Sequence, residues 1–373
     1  MASPVITERA PEKTPRRDHR SRGLRRGEGV AGWLFVSPVV VILGVFLFLP
    51  VLMALWVSVS DWGGRGSPLS PNVNFVGLDN YGELTSGQGL RSRDFGTALR
   101  NNAWYVFLVV PLQTALSLFL AVLVSRRMMK ARGFFRTAFY FPSVTSSVAI
   151  TVLWIFLFSA AGPVNALIAA VTGGKGPNWF NDPRGIVHLL FGVFGVDAAP
   201  PAISQPGFLG LSGWDWIAGP SVAMSAFIIM AVFTTSGTFM LLFIAALQNV
   251  GYELTEAGMM DGASAWQRFW RITLPQLRPT LFTVITLGLI GCWQVFDQIY
   301  TGTKGQPGKT TITPAYLSYT SAFSNQDWGI GAAIAFILFL IIIAFTLLQR
   351  WLLRERPVSK RRIRAYTPKG ARS

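Results

Sequence analysis

The chain has 373 residues, 51% of them hydrophobic and only 13% charged, with mean hydropathy +0.42 and net charge +16. That balance excludes an ordinary soluble domain and places the chain among integral membrane proteins. A single cysteine, Cys292, and two histidines, His19 and His188, exclude a disulfide framework and a multi-cysteine metal site, so no metal is expected.

Residues 1–32 are polar and arginine-rich, too poor in apolar groups to fold alone, and read as a disordered basic tail. The first apolar run, 33–58, is far longer than a signal-peptide core and has no small-residue cleavage site, so it reads as an uncleaved span. Residues 61–100 carry turn formers such as Gly63-Gly64 and Pro68. Further runs lie at 102–124, 138–160, 222–247, 281–300 and 329–348, each long enough for a hydrocarbon layer of roughly 30 Å. Pro142 falls near the start of the third, where a missing donor costs least. Residues 161–218 form a Gly/Pro-rich insertion whose apolar piece 186–196 is too short to cross, and His188 within it reads as structural. Lipid offers no hydrogen bonds, so each span must be helical. The fold expected is an all-α integral membrane protein with a six-helix domain over 33–349 and a basic tail over 350–373.

The basic residues alternate along the chain. Segments 1–32, 125–136, 248–279 and 350–373 hold 25 of the 33 Lys and Arg, and the three segments between them hold 8. This is the positive-inside pattern. It puts both termini and the loop 253–275 in the cytoplasm, and 161–218 outside. The basic excess then serves topology and anionic lipid headgroups, and nucleic acid is not needed to explain it.

The loop 253–275 carries three acids and two arginines, yet also Met259, Met260, Trp266, Phe269, Trp270 and Ile272. A solvated connector has no use for so many large apolar groups, so the loop reads as a docking surface. Residues 253–260 favour helix, and Asp261-Gly262 breaks it because Gly accepts left-handed angles. Ser264 to Gln267 fits a capping box for a second helix, expected to end at Leu274-Pro275.

At these residues the chain resembles the permease subunits of binding-protein-dependent ABC importers. Glu256-Ala257-Gly258, then Asp261-Gly262-Ala263, Phe269, Ile272 and Leu274-Pro275, is similar to the family's "EAA" loop. Gly258 stands where the family usually has Ala. Phe135-Arg136-Thr137, followed by Tyr140-Phe141-Pro142, resembles the family's entry into the third helix, while Phe75-Val76-Gly77-Leu78-Asp79-Asn80-Tyr81 and Phe296-Asp297-Gln298-Ile299-Tyr300 resemble the sugar-transporting branch of maltose and glycerol-phosphate type; the likeness covers about 33–350. The resemblance implies a multi-pass protein of the prokaryotic cytoplasmic (inner) membrane. It also implies an ABC ATPase dimer docked on the loop, a second permease of a different chain, an extracytoplasmic solute-binding protein and a sugar-like solute. ATP-Mg would be used by the ATPase partner, and no cofactor is expected on this chain.

Polar groups inside spans mark the candidate solute path, because they are costly against lipid. The fourth span offers Thr234, Thr235, Ser236 and Thr238 around Gly237, which either loosen the helix toward a cavity or back-bond to their own helix. The fifth offers small residues at Gly288, Gly291 and Cys292, with Gln294 and Asp297 nearby. Asp297 is the one acid inside an expected span. It reads either as an acceptor for a sugar hydroxyl or as a helix-end hydrogen-bond partner. Gly308-Lys309-Thr310 lacks the glycine at 303 that a phosphate loop needs, since Thr303 stands there. With no HExxH or GxSxG either, the chain reads as a permease without an ATPase of its own. The rivals are a secondary transporter working without an ATPase, and a membrane-embedded enzyme or scaffold.

Overall fold

The computed structural model describes residues 26–125, 131–196 and 198–352. Of the expected tails 1–32 and 350–373, residues 26–32 and 350–352 are helical, while 1–25 and 353–373, with Arg126, Arg127 and Lys130 of the basic turn, lie outside the described residues. The chain divides into two units, Met1–Met53 and Ala54–Ser373.

In the first unit, α1 (Arg26–Leu43) runs into a wide π turn at Gly44–Phe48, closed by Leu49 N–H on the Gly44 carbonyl. The turn stands just before Pro50. A proline has no N–H to give, and its ring collides with the carbonyl four residues back in a regular helix, so a wider turn relieves both. The large apolar side chains from Trp33 to Val51 are exposed, as on a helix that faces lipid. Helix α2 (Leu49–Ser58) carries the chain into the second unit.

There the segment 75–81 folds back onto the end of α2. Asn80 Nδ2 donates to the Ser58 and Ser60 carbonyls, both at 3.0 Å, and the Tyr81 hydroxyl donates to Ser58 Oγ at 2.8 Å. Helix α3 (Asp79–Thr85) leads to α4 (Gly89–Ser125), whose 37 residues begin well before the span expected from 102.

The expected straight third span is not observed. It is two helices, α5 (Arg132–Val144) and α6 (Ser147–Leu157), bent by 100° at Thr145-Ser146. Pro142 removes a helical donor just upstream, and the Ser143 and Thr145 hydroxyls take the Tyr140 and Phe141 carbonyls instead, so the helical ladder is weakened here. The insertion folds as α7 (Pro163–Thr172), α8 (Ile186–Val193) and α9 (Gly213–Ile217). His188 stacks on Trp214 at 4.2 Å and its Nε2 meets the Trp214 carbonyl at 3.0 Å, a structural role.

Helix α10 (Val222–Gln248) is capped by Ser221 and lies between α4 and α5. The hydroxyls of Thr234, Thr235 and Ser236 do not loosen it: each bonds back to a carbonyl three or four residues earlier. Gly237 has a packing reason, since a Cβ there would stand 2.3 Å from the Phe139 carbonyl of α5. Small residues let helix backbones approach where lipid supplies no hydrophobic drive.

The loop is α11 (Tyr252–Met260), α12 (Ala265–Arg268) and α13 (Leu274–Gln276). Helix α14 (Arg278–Trp293) packs on α4 and α17, then breaks before α15 (Asp297–Thr301). After α16 (Pro314–Tyr319), α17 (Trp328–Leu352) closes the bundle. Among the described residues, five helices are long and apolar enough to cross a membrane, and the bent pair α5–α6 makes a sixth candidate. The only β pairing among them is three isolated bridges.

Gly237→Val is expected to lower the melting temperature in detergent, because overpacking a close contact costs about 1–3 kcal/mol. Gly291→Ala, where a Cβ meets nothing within 4 Å, should leave it unchanged.

Candidate functional site

Two regions gather the candidate residues, and the first is the loop between α10 and α14. Glu256 and Ala257 are exposed on α11, while Gly258 is buried, with Ile272 Cδ1 only 2.8 Å from where its Cβ would stand. Glycine lets Ile272 seat on α11. Asp261 caps the helix and Gly262 follows at φ +72°, with Gly262 N–H on the Met259 carbonyl and Ala263 N–H on that of Gly258. Those two bonds form a Schellman motif, which needs a left-handed residue at the position of Gly262. Ser264 then caps α12 reciprocally: its Oγ accepts from Gln267 N–H at 3.2 Å, and its N–H donates to Gln267 Oε1 at 2.8 Å.

The helix does not end at Leu274-Pro275, contrary to the reading from sequence. A π turn at Phe269–Thr273 sits directly before Pro275, and helical structure continues to Gln276. The solution is the one used before Pro50: the wide turn removes the clash that would otherwise stop the helix. Leu274 and Pro275 are half-buried, and Leu277 next to them is fully buried. Trp266 packs against Phe269 and Trp270 with centroids 6.4 and 5.4 Å apart. Yet Trp266 is 69% exposed and Met260 88%, with Met259 and Trp270 also exposed. Large apolar side chains left exposed on a polar loop mark a candidate interaction surface.

The second region is a cavity between α4, α10 and α14 with polar groups on its wall, in two neighbouring lobes of about 330 and 350 Å³ that share Thr234, Thr235 and Gln298. Thr234, Thr235, Gly288, Cys292, Gln294 and Asp297 line it, as does Gln298. Ser236 does not: it is buried and bonds to the Phe233 carbonyl. Thr238 lines the second lobe beside Pro142, Ser143, Thr145 and Ser147 of the α5–α6 bend.

The fifth span, expected to be continuous over 281–300, is broken at Gln294–Phe296, on the cavity wall. Side chains from neighbours hold the freed carbonyls. Asn102 Nδ2 donates to that of Trp293 at 3.0 Å, and Thr313 Oγ1 to that of Val295 at 2.9 Å. Irregular backbone at membrane depth survives only where protein or a cavity satisfies it.

Gln113 of α4 was not singled out from the sequence. It is fully buried on the cavity wall, its Oε1 is 2.6 Å from Thr235 Oγ1, and its Nε2 has no partner. Gly288 is glycine because a Cβ would stand 2.3 Å from that Nε2. The available signal was an amide inside an apolar run. Lys309 of the Gly-Lys-Thr stretch pairs with Asp94 at 2.7 Å, remote from any phosphate-loop geometry.

Residues 113–356 match the family model described as the binding-protein-dependent transport system inner membrane component. The chain belongs to this family. A probable ABC transporter permease protein of Pyrococcus horikoshii is 32% identical over 316 residues, 84% of this chain and 92% of that protein. The lactose transport system permease protein LacF of Rhizobium radiobacter is 29% identical, over 89% of this chain and 97% of LacF. The crystal structure of a bacterial ABC transporter that imports the acidic polysaccharide alginate has the same fold. It superposes with a TM-score of 0.65 at 17% identity, over 89% of this chain and 97% of that one. The protein is thus a multi-pass inner-membrane ABC permease of the binding-protein-dependent kind, and the loop and cavity belong to that scaffold.

Gly262→Ala is expected to strain the permease loop by about 1 kcal/mol, since a Cβ opposes the left-handed angle. Hydrogen exchange should quicken at the Gly262 and Ala263 amides, with helix α10 unaffected.

Proposed function

We propose that this permease moves a sugar or sugar-like solute, driven by a partner ATPase that docks on the loop 253–275. The observation that carries the reading is the cavity itself. Two helix breaks open onto it, and it presents hydroxyl, amide and carboxylate groups from Thr235, Gln294 and Asp297, with the buried Gln113 behind Thr235. Such groups suit a polyhydroxylated neutral solute. Beside Asp297, Phe296 stacks on Tyr300 at 5.4 Å and Tyr319 meets both rings edge-on, a surface that can pack against sugar rings. Relatives named for lactose, trehalose/maltose and arabinooligosaccharides support the solute class.

In this reading the termini and loop are cytoplasmic, as the alternation of basic residues supports. An ATPase dimer binds ATP-Mg, closes, and pulls on the apolar patch around Trp266 and Met260. Helices α10 and α14 leave the loop at its two ends and both wall the cavity, so they carry the movement to it. A second permease, a different chain, faces the cavity, and an extracytoplasmic binding protein delivers solute. This chain holds no cofactor in the cycle.

Transport of labelled maltose or lactose by the whole assembly in proteoliposomes, with ATP inside or absent, tests the scheme. Uptake is expected only with ATP, and ATP-independent uptake would favour a secondary transporter. Gly262→Asp should insert normally and lose ATP-coupled uptake. Asp297→Asn and Gln113→Leu should each lower uptake about tenfold with ATPase binding intact, the effect of about one lost hydrogen bond to a charged or buried group. Wild-type uptake by Gly262→Asp would sink the loop assignment.

A further inference from the structure

The face of α4 turned away from the polar cavity holds a second space of different character. Trp104 and Phe107 of α4, Leu289 and Trp293 of α14 and Phe345 of α17 wall an open slot of about 590 Å³. Its lining is apolar except at one end, where Arg100 stands beside Trp216. None of its residues borders the polar cavity.

Arg100 is the unusual member. Its Nη2 donates to Asn101 Oδ1 at 2.9 Å and its Nη1 to the backbone carbonyl of Asp215 at 3.3 Å, and both acceptors are neutral. Its Nε has no partner. The Asp215 carboxylate accepts from the N–H and hydroxyl of Ser212, at 3.0 and 2.8 Å; it attracts Arg100 from a distance but makes no ion pair with it. Among the described residues, no ion pair includes Arg100. A half-buried guanidinium at the mouth of an apolar slot carries a desolvation cost that an anion would offset.

The depth of the slot says where that anion sits. Arg100 lies just before the apolar run that starts at 102, at the end of α4 remote from the loop 253–275. Pro111, the deepest α4 residue of the lining, is about 16 Å along the helix from Arg100 at 1.5 Å per residue. That is half of a hydrocarbon core of roughly 30 Å. Along α4 the slot therefore starts at headgroup depth and reaches about half the thickness of the hydrocarbon core, and Phe345 carries its wall further along α17.

We propose that this slot binds one anionic phospholipid, with its phosphate on Arg100 and an acyl chain laid between α4, α14 and α17. A phospholipid brings the anion and the apolar chain together. An apolar helix from another subunit would cover the walls and leave Arg100 unpaired.

Native mass spectrometry of the intact transporter, titrated with phosphatidylglycerol, phosphatidylcholine or inorganic phosphate, tests the site. One phosphatidylglycerol per chain is expected, held about fivefold to tenfold more tightly than phosphatidylcholine. Arg100→Gln should abolish that preference and Arg100→Lys should keep most of it. Ala103→Trp, which fills the slot and leaves the cation, should lose both lipids. Equal binding of the two lipids, or an unchanged preference in Arg100→Gln, would overturn the proposal. So would displacement of the lipid by inorganic phosphate, or loss of the second permease rather than lipid from Ala103→Trp.

Discussion

Every backbone carbonyl and amide at membrane depth must find a partner within the protein, and the structure depends on this one constraint. It explains why the spans are helices. It also makes each departure from helix informative, because a break has to be held by something specific. The break at Gln294–Phe296 is held by Asn102 and Thr313, residues from α4 and from the segment before α16. The bend at Thr145-Ser146 follows Pro142 and uses the hydroxyls of its own helix end. The two breaks border neighbouring lobes of one cavity, so the costly irregularities coincide with the polar groups on its wall.

The same constraint governs how the helices pack. In lipid, contact between helices comes from close fit and hydrogen bonding more than from the hydrophobic effect. Gly237 admits the backbone of α5, and Gly288 admits the amide of Gln113. The contact between Gln113 and Thr235 then joins α4 to α10 on the cavity wall. A movement of α10 relative to α4 would disturb that contact.

The loop solves a different problem, since it must be rigid while presenting apolar surface to water. Its rigidity comes from local bonds: the Schellman turn at Gly262, the reciprocal cap of Ser264 and Gln267, and the seat of Ile272 on Gly258.

Features that depend on neighbours in the chain were legible in the sequence. Length and hydropathy decided the six apolar segments, and side-chain chemistry over four or five residues decided the turn at Gly262 and the capping box. The order of motifs such as Glu256-Ala257-Gly258 and Leu274-Pro275 pointed to the family. Beside the bend in the third span and the break in the fifth, further features were not legible. Pro275 is a helix breaker by local rules, but a wide turn upstream accommodates it. Ser236 and Thr235 are adjacent and chemically alike, yet only Thr235 reaches the cavity, because one helical step turns a side chain by about 100°. Gln113 gains its place only when α4 crosses α10 and α14. Covalent order and local hydrogen bonding set the elements and their ends. Which side chains converge was decided by packing between segments far apart in the chain, as when Gln113 meets Thr235 and Asn102 meets the Trp293 carbonyl.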